Sequence, residues 1–224
     1  MFFLRMCAFG FALVSLTLSA SAAEPKSEEQ KAFYALGVAL ARNLASFNLT
    51  PAELELVKAG LTDESRGEAT IDLETYIEKI GELQSERVAA QTRVEREAGQ
   101  AFRTKAAAQK GAITTPSGIV IQHIKTGSGA SPTAQDTVTV HYQGTTTDGT
   151  VFDSSRERDR PETFPLEAVI PCWTEALQTM KAGGQSRIIC PPELAYGDRG
   201  APPIKPGATL VFDVELLEVQ RARP

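Results

Sequence analysis

The second half of the chain carries six aromatic side chains, Tyr142, Phe152, Phe164, Trp173, Tyr196 and Phe212, and none lies in a polar run. Each sits in or beside a turn-bounded segment: V-H-Y, V-F-D-S-S, T-F-P-L, V-I-P-C-W, L-A-Y-G and L-V-F. Rings placed this way either pack as a core or line an apolar hollow that grips an uncharged group. Residues for other chemistries are scarce. The 224 residues hold two histidines and three cysteines, which leaves little for a His-based metal site or relay and excludes a disulfide-rich scaffold. His123 and His141 have no paired metal ligands by spacing and read as ordinary strand residues. Gly127-Ser128-Gly129 lacks the lysine and following helix of a phosphate loop. No metal or cofactor is expected. Arg156, Glu157, Arg158, Asp159 and Arg160 form a charged run, read first as a solvated loop and second as a rim for substrate.

The elements that must position these residues change character along the chain. Residues 113–224 hold 11 of the 13 prolines and 10 of the 17 glycines, the punctuation of short strands and turns. Ile119, Ile121 and His123 alternate with Val120, Gln122 and Ile124. Val138, Val140 and Tyr142 alternate with Thr139 and His141. Asp148-Gly149 is a hairpin signal before Val151-Phe152. Gln185 to Cys190 is a further strand. Thr209 to Val219 is a long one, with Leu210, Phe212, Val214 and Leu216 on one face. Between them Trp173, Ala176, Leu177 and Met180 fall at helical spacing, an amphipathic helix ended by Gly183-Gly184. Strands around one helix make an antiparallel α+β domain.

Residues 24–112 read as helical. Ser27-Glu28-Glu29-Gln30 fits a capping box, followed by a stripe of Phe33, Leu36, Leu40, Leu44 and Phe47. Thr50-Pro51-Ala52-Glu53 starts a second helix, continued by Leu54, Val57 and Leu61. From Leu73 a pattern without proline runs to Lys110, where Gly111 caps it; its ~38 residues would span ~57 Å at ~1.5 Å each. The early part carries Leu73, Tyr76, Ile77, Ile80 and Leu83. The later part has only Val88, Val94 and Phe102 as large apolar residues, and reads as a strut holding the second half away. Three helices with apolar stripes have little core of their own, so two copies sharing one core is the economical arrangement.

Lys+Arg is 23 against 28 Asp+Glu, for a net charge of −5, which argues against a general nucleic-acid binder. The first 23 residues read as a cleaved secretory signal. Arg5 gives a positive start, Met6 to Leu18 an apolar run, and Ala20-Ser21-Ala22 a small-residue cleavage site. The mature chain then has no span long enough to cross a bilayer and works in the periplasm or otherwise outside the cytoplasm, with outer-membrane or surface association left open. Only Cys172 and Cys190 survive cleavage. They either form one disulfide in an oxidising compartment or pack as two buried thiols.

Five strings taken in order, V-T-V-H-Y-Q-G (138–144), D-G-T-V-F-D-S-S (148–155), V-I-P-C-W-T-E-A-L (169–177), P-P-E-L-A-Y-G (191–197) and P-G-A-T-L-V-F-D-V-E-L (206–216), resemble the FKBP-type peptidyl-prolyl isomerases across about residues 114–219. The helical half is similar to the dimerisation segment of the macrophage infectivity potentiator subgroup, including Tyr34-Ala35-Leu36-Gly37. The resemblance implies a five- or six-stranded antiparallel half-barrel wrapped on the short helix. Trp173 would floor an apolar pocket walled by Tyr142, Phe152, Phe164 and Phe212. Val169 and Ile170 would form a lip, with the Ile170 N–H bonding a substrate carbonyl. Tyr196 would offer a hydroxyl and Asp153 a carboxylate at the wall, while Ile204 lies in the flap before the last strand. Asp153 would orient Tyr142 or the ligand rather than abstract a proton; a turn-capping Asp is the plainer alternative. Implied partners are unfolded or proline-containing polypeptides, a second copy of the chain, and macrolides of the tacrolimus type as inhibitors.

The sequence departs from the family in places. Cys172 replaces a usual glycine at the helix start, and a bridge to Cys190 would staple the pocket floor. Glu162 falls where some members carry an aromatic, which opens that side. The flap 200–204 is one residue shorter than in small cytosolic members.

The chemistry suits the residues. An X–Pro bond turns over a barrier of ~20 kcal/mol in ~10–100 s unaided. No bond is made or broken, so no nucleophile, metal or proton relay is required. The twisted transition state has lost amide resonance and is less polar than the planar amide, so a dry aromatic pocket binds it preferentially. A hundredfold gain asks for only ~2.7 kcal/mol. The expectation is an exported dimeric α+β isomerase: signal 1–23, helical dimerisation domain with linking helix 24–112, isomerase domain 113–224. The alternative is a holdase chaperone or virulence-associated binding protein with incidental isomerase activity.

Overall fold

The computed structural model describes residues 24–222; the expected signal segment lies outside the described residues. The chain divides into one unit ending at Ala45 and one beginning at Ser46. In the first, α1 spans Glu28–Asn43. The expected capping box opens it: Ser27 Oγ accepts the Gln30 N–H at 3.1 Å, and Gln30 Oε1 accepts the Ser27 N–H at 3.2 Å. Two donors that a helix start leaves unpaired are thereby satisfied. The α1 stripe stands exposed, Phe33 by 67% and Leu36 by 58%.

The second unit begins with α2, Pro51–Arg66, opened by the Thr50–Glu53 capping box and closed by Gly67 at φ +70°. Then comes α3, Leu73–Ala107. Arg87 Nη2 lies 2.5 Å from Glu53 Oε1 and ties α3 to α2. The Thr50 backbone N–H and the Arg87 guanidinium together hold the Glu53 carboxyl down to about 2. The helix ends earlier than Lys110. The Gln109 N–H turns back to the Ala106 carbonyl at 3.0 Å, and Gly111 (φ +82°) swings the chain into the first strand instead of capping the helix.

Seven antiparallel strands follow, more than the five or six expected: β1 Ala112–Thr114, β2 Val120–Lys125, β3 Thr137–Thr146, β4 Val151–Ser154, β5 Glu162–Pro165, β6 Gly184–Cys190 and β7 Leu210–Gln220. Their order is β1-β2-β6-β7-β3-β4, with β5 paired to β3. Burial alternates along β3, so Val138, Val140, Tyr142 and Gly144 face inward as a period of two requires. The main core lies between this sheet and α4, Pro171–Leu177, which buries Cys172, Trp173, Ala176 and Leu177. This helix is shorter than its apolar spacing suggested. Met180 is buried from a turn after it, closed by a 3.0 Å bond from its N–H to the Leu177 carbonyl. The glycines at 183 and 184 lead into β6 and do not end the helix.

The largest correction concerns α3. Its early apolar residues are exposed, Leu73 by 62% and Ile77 by 52%, whereas its two buried residues, Gly99 and Ala106, lie in the polar later part. That part is not a strut held clear of the sheet. Ala106 packs with Val120, Ile189 and Val211, joined by Phe102, Ala107 and Ala112. Small residues let the helix axis approach the sheet, which is why a scan for large apolar residues overlooked the contact. It also explains why Val120 and Ile121, neighbours on β2, are both buried: Ile121 faces the main core and Val120 faces α3.

A Cβ on Gly99 would sit 2.2 Å from Thr209 Oγ1, whereas one on Gly81, in the same helix, meets nothing within 4 Å. Gly99→Ala should destabilise the fold by about 1–3 kcal/mol through overpacking. Gly81→Ala should stabilise it by up to ~1 kcal/mol through helix propensity. Urea titration of both variants checks the pair; equal effects would refute the docking of α3.

Candidate active site

Gly144 decides the geometry of the rings. It faces Phe212 across the β3–β7 ladder, while β3 and β4 shift register between Gly144 and Thr145, so Phe152 has no cross-strand partner. Such a bulge redirects a side chain, and the Phe152 ring crosses Gly144: a Cβ there would lie 2.6 Å from Phe152 Cζ and 3.0 Å from Phe212 Cε1. Phe164 enters from β5 opposite Val138. Trp173 enters from the first turn of α4.

Trp173 is the hub. Its ring centroid lies 5.1 Å from Tyr142, 5.3 Å from Phe212 and 5.9 Å from Phe164, all edge-on. Phe152 meets Phe212 at 5.6 Å, and Tyr142 meets Phe164 at 6.2 Å. Edge-to-face pairs contribute about 0.5–1.5 kcal/mol each beyond burial. Tyr142, Trp173 and Phe212 are buried. Phe152, Phe164, Val169 and Ile170 are partly buried against them, so the cluster reaches solvent on that side. The Trp173 Nε1–H is buried with no partner among the described residues. An unmet donor costs about 1–3 kcal/mol, a violation that concentrates at functional sites.

Val169 and Ile170 lie just ahead of α4. The Ile170 carbonyl accepts the Trp173 and Thr174 N–H groups at 2.9 and 3.2 Å, while the Ile170 N–H has no protein acceptor among the described residues. Ile204 is buried in the same cluster. Tyr196 is 40% exposed and, among the described residues, pairs with none of the other five rings. Cys172 and Cys190 are bridged, with Cα atoms 5.8 Å apart, joining the start of α4 to the end of β6 directly beside Trp173. Of the two readings left open for these cysteines, the disulfide is the one observed.

The polar side of the cluster contains Arg158, from the charged run read first as a solvated loop and second as a rim for substrate. Tyr142 Oη donates to Asp153 Oδ2. Arg158 Nη1 donates to Asp153 Oδ1 at 2.6 Å, its Nη2 to Tyr142 Oη at 3.1 Å, and its Nε to Glu162 Oε1 at 3.2 Å. The guanidinium also lies 6.0 Å from the Tyr142 ring centroid. Glu162 therefore does not leave that side open: Arg158 covers it. Arg156 turns away to Glu215 at 2.8 Å. Two arginines that look equivalent in sequence thus face different partners. Gly144 was also overlooked, although an isolated glycine within a strand pattern signals close backbone approach.

Burial, then the bond to Asp153, pushes the Tyr142 hydroxyl up to about 12. For Asp153, burial opposes ionisation, but the bonds from Tyr142 and Arg158 outweigh it and hold the carboxyl below its ordinary value. The same bonds raise Arg158. At neutral pH the trio is thus a neutral phenol, a carboxylate and a guanidinium. His123 and His141 serve structure: their Nδ1 atoms lie 2.9 Å from Ser186 Oγ and 3.1 Å from Ser155 Oγ. Among the described residues no cluster of His, Cys, Asp or Glu is arranged to hold a metal.

The fold that carries this ring cluster, an antiparallel sheet wrapped on one short helix, is that of a sheet-on-helix prolyl isomerase. The profile of FKBP-type peptidyl-prolyl cis-trans isomerases matches residues 129–217, and that of the domain amino-terminal to such isomerases matches residues 29–122. The FKBP-type peptidyl-prolyl cis-trans isomerase FkpA of Escherichia coli is 38% identical over 232 residues, covering 92% of this chain and 85% of the relative. The outer membrane protein MIP of Legionella longbeachae is 34% identical over 224 residues, covering 95% of each. The crystal structure of Escherichia coli FkpA matches with a TM-score of 0.69 at 35% identity, over 88% of this chain and 99% of that one. The chain belongs to the FKBP-type peptidyl-prolyl cis-trans isomerases, and its activity is the isomerisation of X–Pro bonds.

Two outcomes follow for the site. Stability from the lowered Asp153 carboxyl is present above the ordinary carboxylate pKa of about 4 and fades as pH falls through the depressed value. That from Tyr142 is present below about 10 and fades as pH rises through about 12. Isomerase kcat/KM should therefore be flat from about pH 5 to about 9. Removing the disulfide by Cys172→Ala with Cys190→Ala opens a link of sequence separation 18 and should cost roughly 3 kcal/mol, read from the urea midpoint.

Proposed function

We propose that the chain isomerises proline bonds in exported polypeptides by placing the prolyl ring against Trp173, between Tyr142, Phe152, Phe164 and Phe212. The Ile170 N–H bonds the substrate carbonyl at the Val169–Ile170 lip. Tyr142 is oriented by Asp153 and Arg158 and presents its hydroxyl side to the twisting amide. Tyr196 and Ile204 complete the site from the β6–β7 connection. The low polarity of the ring cluster penalises the planar, dipolar amide more than the twisted one, which lowers the barrier. The observation that carries this reading is the Trp173-centred cluster reaching solvent beside the Ile170 N–H, which has no protein acceptor among the described residues.

We also read residues 24–112 as a dimerisation arm and 113–224 as the isomerase domain. The exposed stripes of Phe33, Leu36, Tyr76 and Ile77 support a shared core with a second copy. The disulfide, which is stable in oxidising compartments, supports work in the periplasm; no helix among the described residues is long and apolar enough to cross a membrane. A second reading, a chaperone that holds unfolded chains on its helices, is favoured by the same exposed stripes.

One experiment separates the two. Trp173→Leu and Asp153→Ala should each lower kcat/KM on a short proline peptide by about tenfold or more, equivalent to at least ~1.4 kcal/mol. A macrolide of the tacrolimus type should compete with the peptide. Aggregation suppression should survive both substitutions. Full isomerase activity in both variants would overturn the pocket assignment.

A further inference from the structure

The connection from Pro191 to Thr209, between β6 and β7, carries Tyr196 and Ile204 yet has no ladder of its own beyond the Ala201–Ile204 bridge. Its backbone bonds are those of local turns, such as the Gly197 N–H to the Pro192 carbonyl at 2.8 Å and the Gly207 N–H to the Gly197 carbonyl at 2.9 Å, and a segment outside the sheet ladder is the kind that opens locally. In this chain α3 holds it. Arg96 donates to Glu193 and, through Nε and Nη2, to Asp198 Oδ1 at 3.0 and 2.8 Å. Lys205 Nζ lies 2.9 Å from Glu95 Oε1. Gly207, at φ +74°, passes so close that a Cβ would lie 2.8 Å from the Thr92 carbonyl oxygen. Thr209 meets Gly99 and accepts a bond from Arg103.

Thr92, Glu95, Arg96, Gly99 and Arg103 recur at helical spacing and form one face. That face is matched, turn by turn, to the connection. Arg96 is its centre, because its two partners, Glu193 and Asp198, bracket Tyr196 in sequence. A helix serving only as a spacer would need no such match.

We infer that Arg96 is a positioning residue for isomerisation: through Glu193 and Asp198 it orders the segment that brings Tyr196 and Ile204 to the substrate. The inference rests on the reading of Tyr196 and Ile204 as site residues. A segment ordered in advance loses less entropy when substrate binds, so the effect falls on KM more than on kcat.

The test is steady-state kinetics of the full chain on a short proline peptide. Arg96→Gln should raise KM about fivefold with kcat nearly unchanged, since exposed ion pairs are individually weak. Arg96→Lys, which keeps the charge but loses the fork, should recover part of that loss. Added salt should raise the wild-type KM more than that of Arg96→Gln, in which only the Lys205–Glu95 pair is left to screen. Glu193→Gln combined with Asp198→Asn should reproduce Arg96→Gln from the other side. An unchanged KM in both Arg96→Gln and the double variant overturns the inference, as does a loss confined to kcat and thermal midpoint. Tyr196→Ala and Ile204→Ala are run in parallel. If they leave KM unchanged, the site reading itself falls; if they raise it while Arg96→Gln does not, only the role of Arg96 falls.

Discussion

Everything in the isomerase half depends on keeping one indole dry. Trp173 sits in the first turn of a helix of seven residues, too short to hold itself together in water. Its stability is tertiary: the sheet wraps it, three rings meet it edge-on, and the adjacent Cys172 is bonded to the end of β6. These restraints converge within a few residues. On the proposed mechanism the reason is chemical, since catalysis by differential solvation of an amide requires a surface from which water is excluded. Met180, buried in the turn that follows, closes the far side of the same core.

The polar edge of the cluster solves a different problem. A tyrosine hydroxyl in an apolar site needs partners, or its burial is costly. Asp153 and Arg158 supply them and neutralise each other, so the edge carries no unpaired charge that would draw water in. Glu162 closes the far side of Arg158. The result is a hydroxyl fixed in direction and in protonation state, set beside rings that are fixed in angle.

The long helix shows how a polar surface can bind as specifically as an apolar one. Its early apolar residues stand exposed within the chain, whereas its later part lies against the back of β2, β6 and β7 through Gly99 and Ala106. The charged residues flanking those small ones have partners in the β6–β7 connection. One helix thus presents an open apolar stripe at its start and a fitted contact at its end, placing whatever covers the stripe in mechanical continuity with the isomerase domain.

Much of this was legible in the residues. The capping boxes at Ser27 and Thr50, the alternation along β3 and β7, and the turn at Asp148-Gly149 are local signals, and each formed where the chemistry of neighbours dictates. The six rings could be named because their turn-bounded segments are distinctive as strings; five of them pair with one another in the structure, and Tyr196 does not pair with them. What only the tertiary structure decided are matters of distance between residues far apart in sequence. Arg158 rather than Arg156 turns inward, to Asp153 and Tyr142, while Arg156 pairs with Glu215 on β7. Phe152 crosses Gly144 because β4 carries one residue more than its partner. Small residues draw α3 onto the sheet where hydrophobic periodicity saw only a polar rod. Periodicity reports which side chains avoid water; it is silent on which backbones approach closely and on which of several identical charges finds a partner, since both depend on surfaces that exist only once the chain has folded.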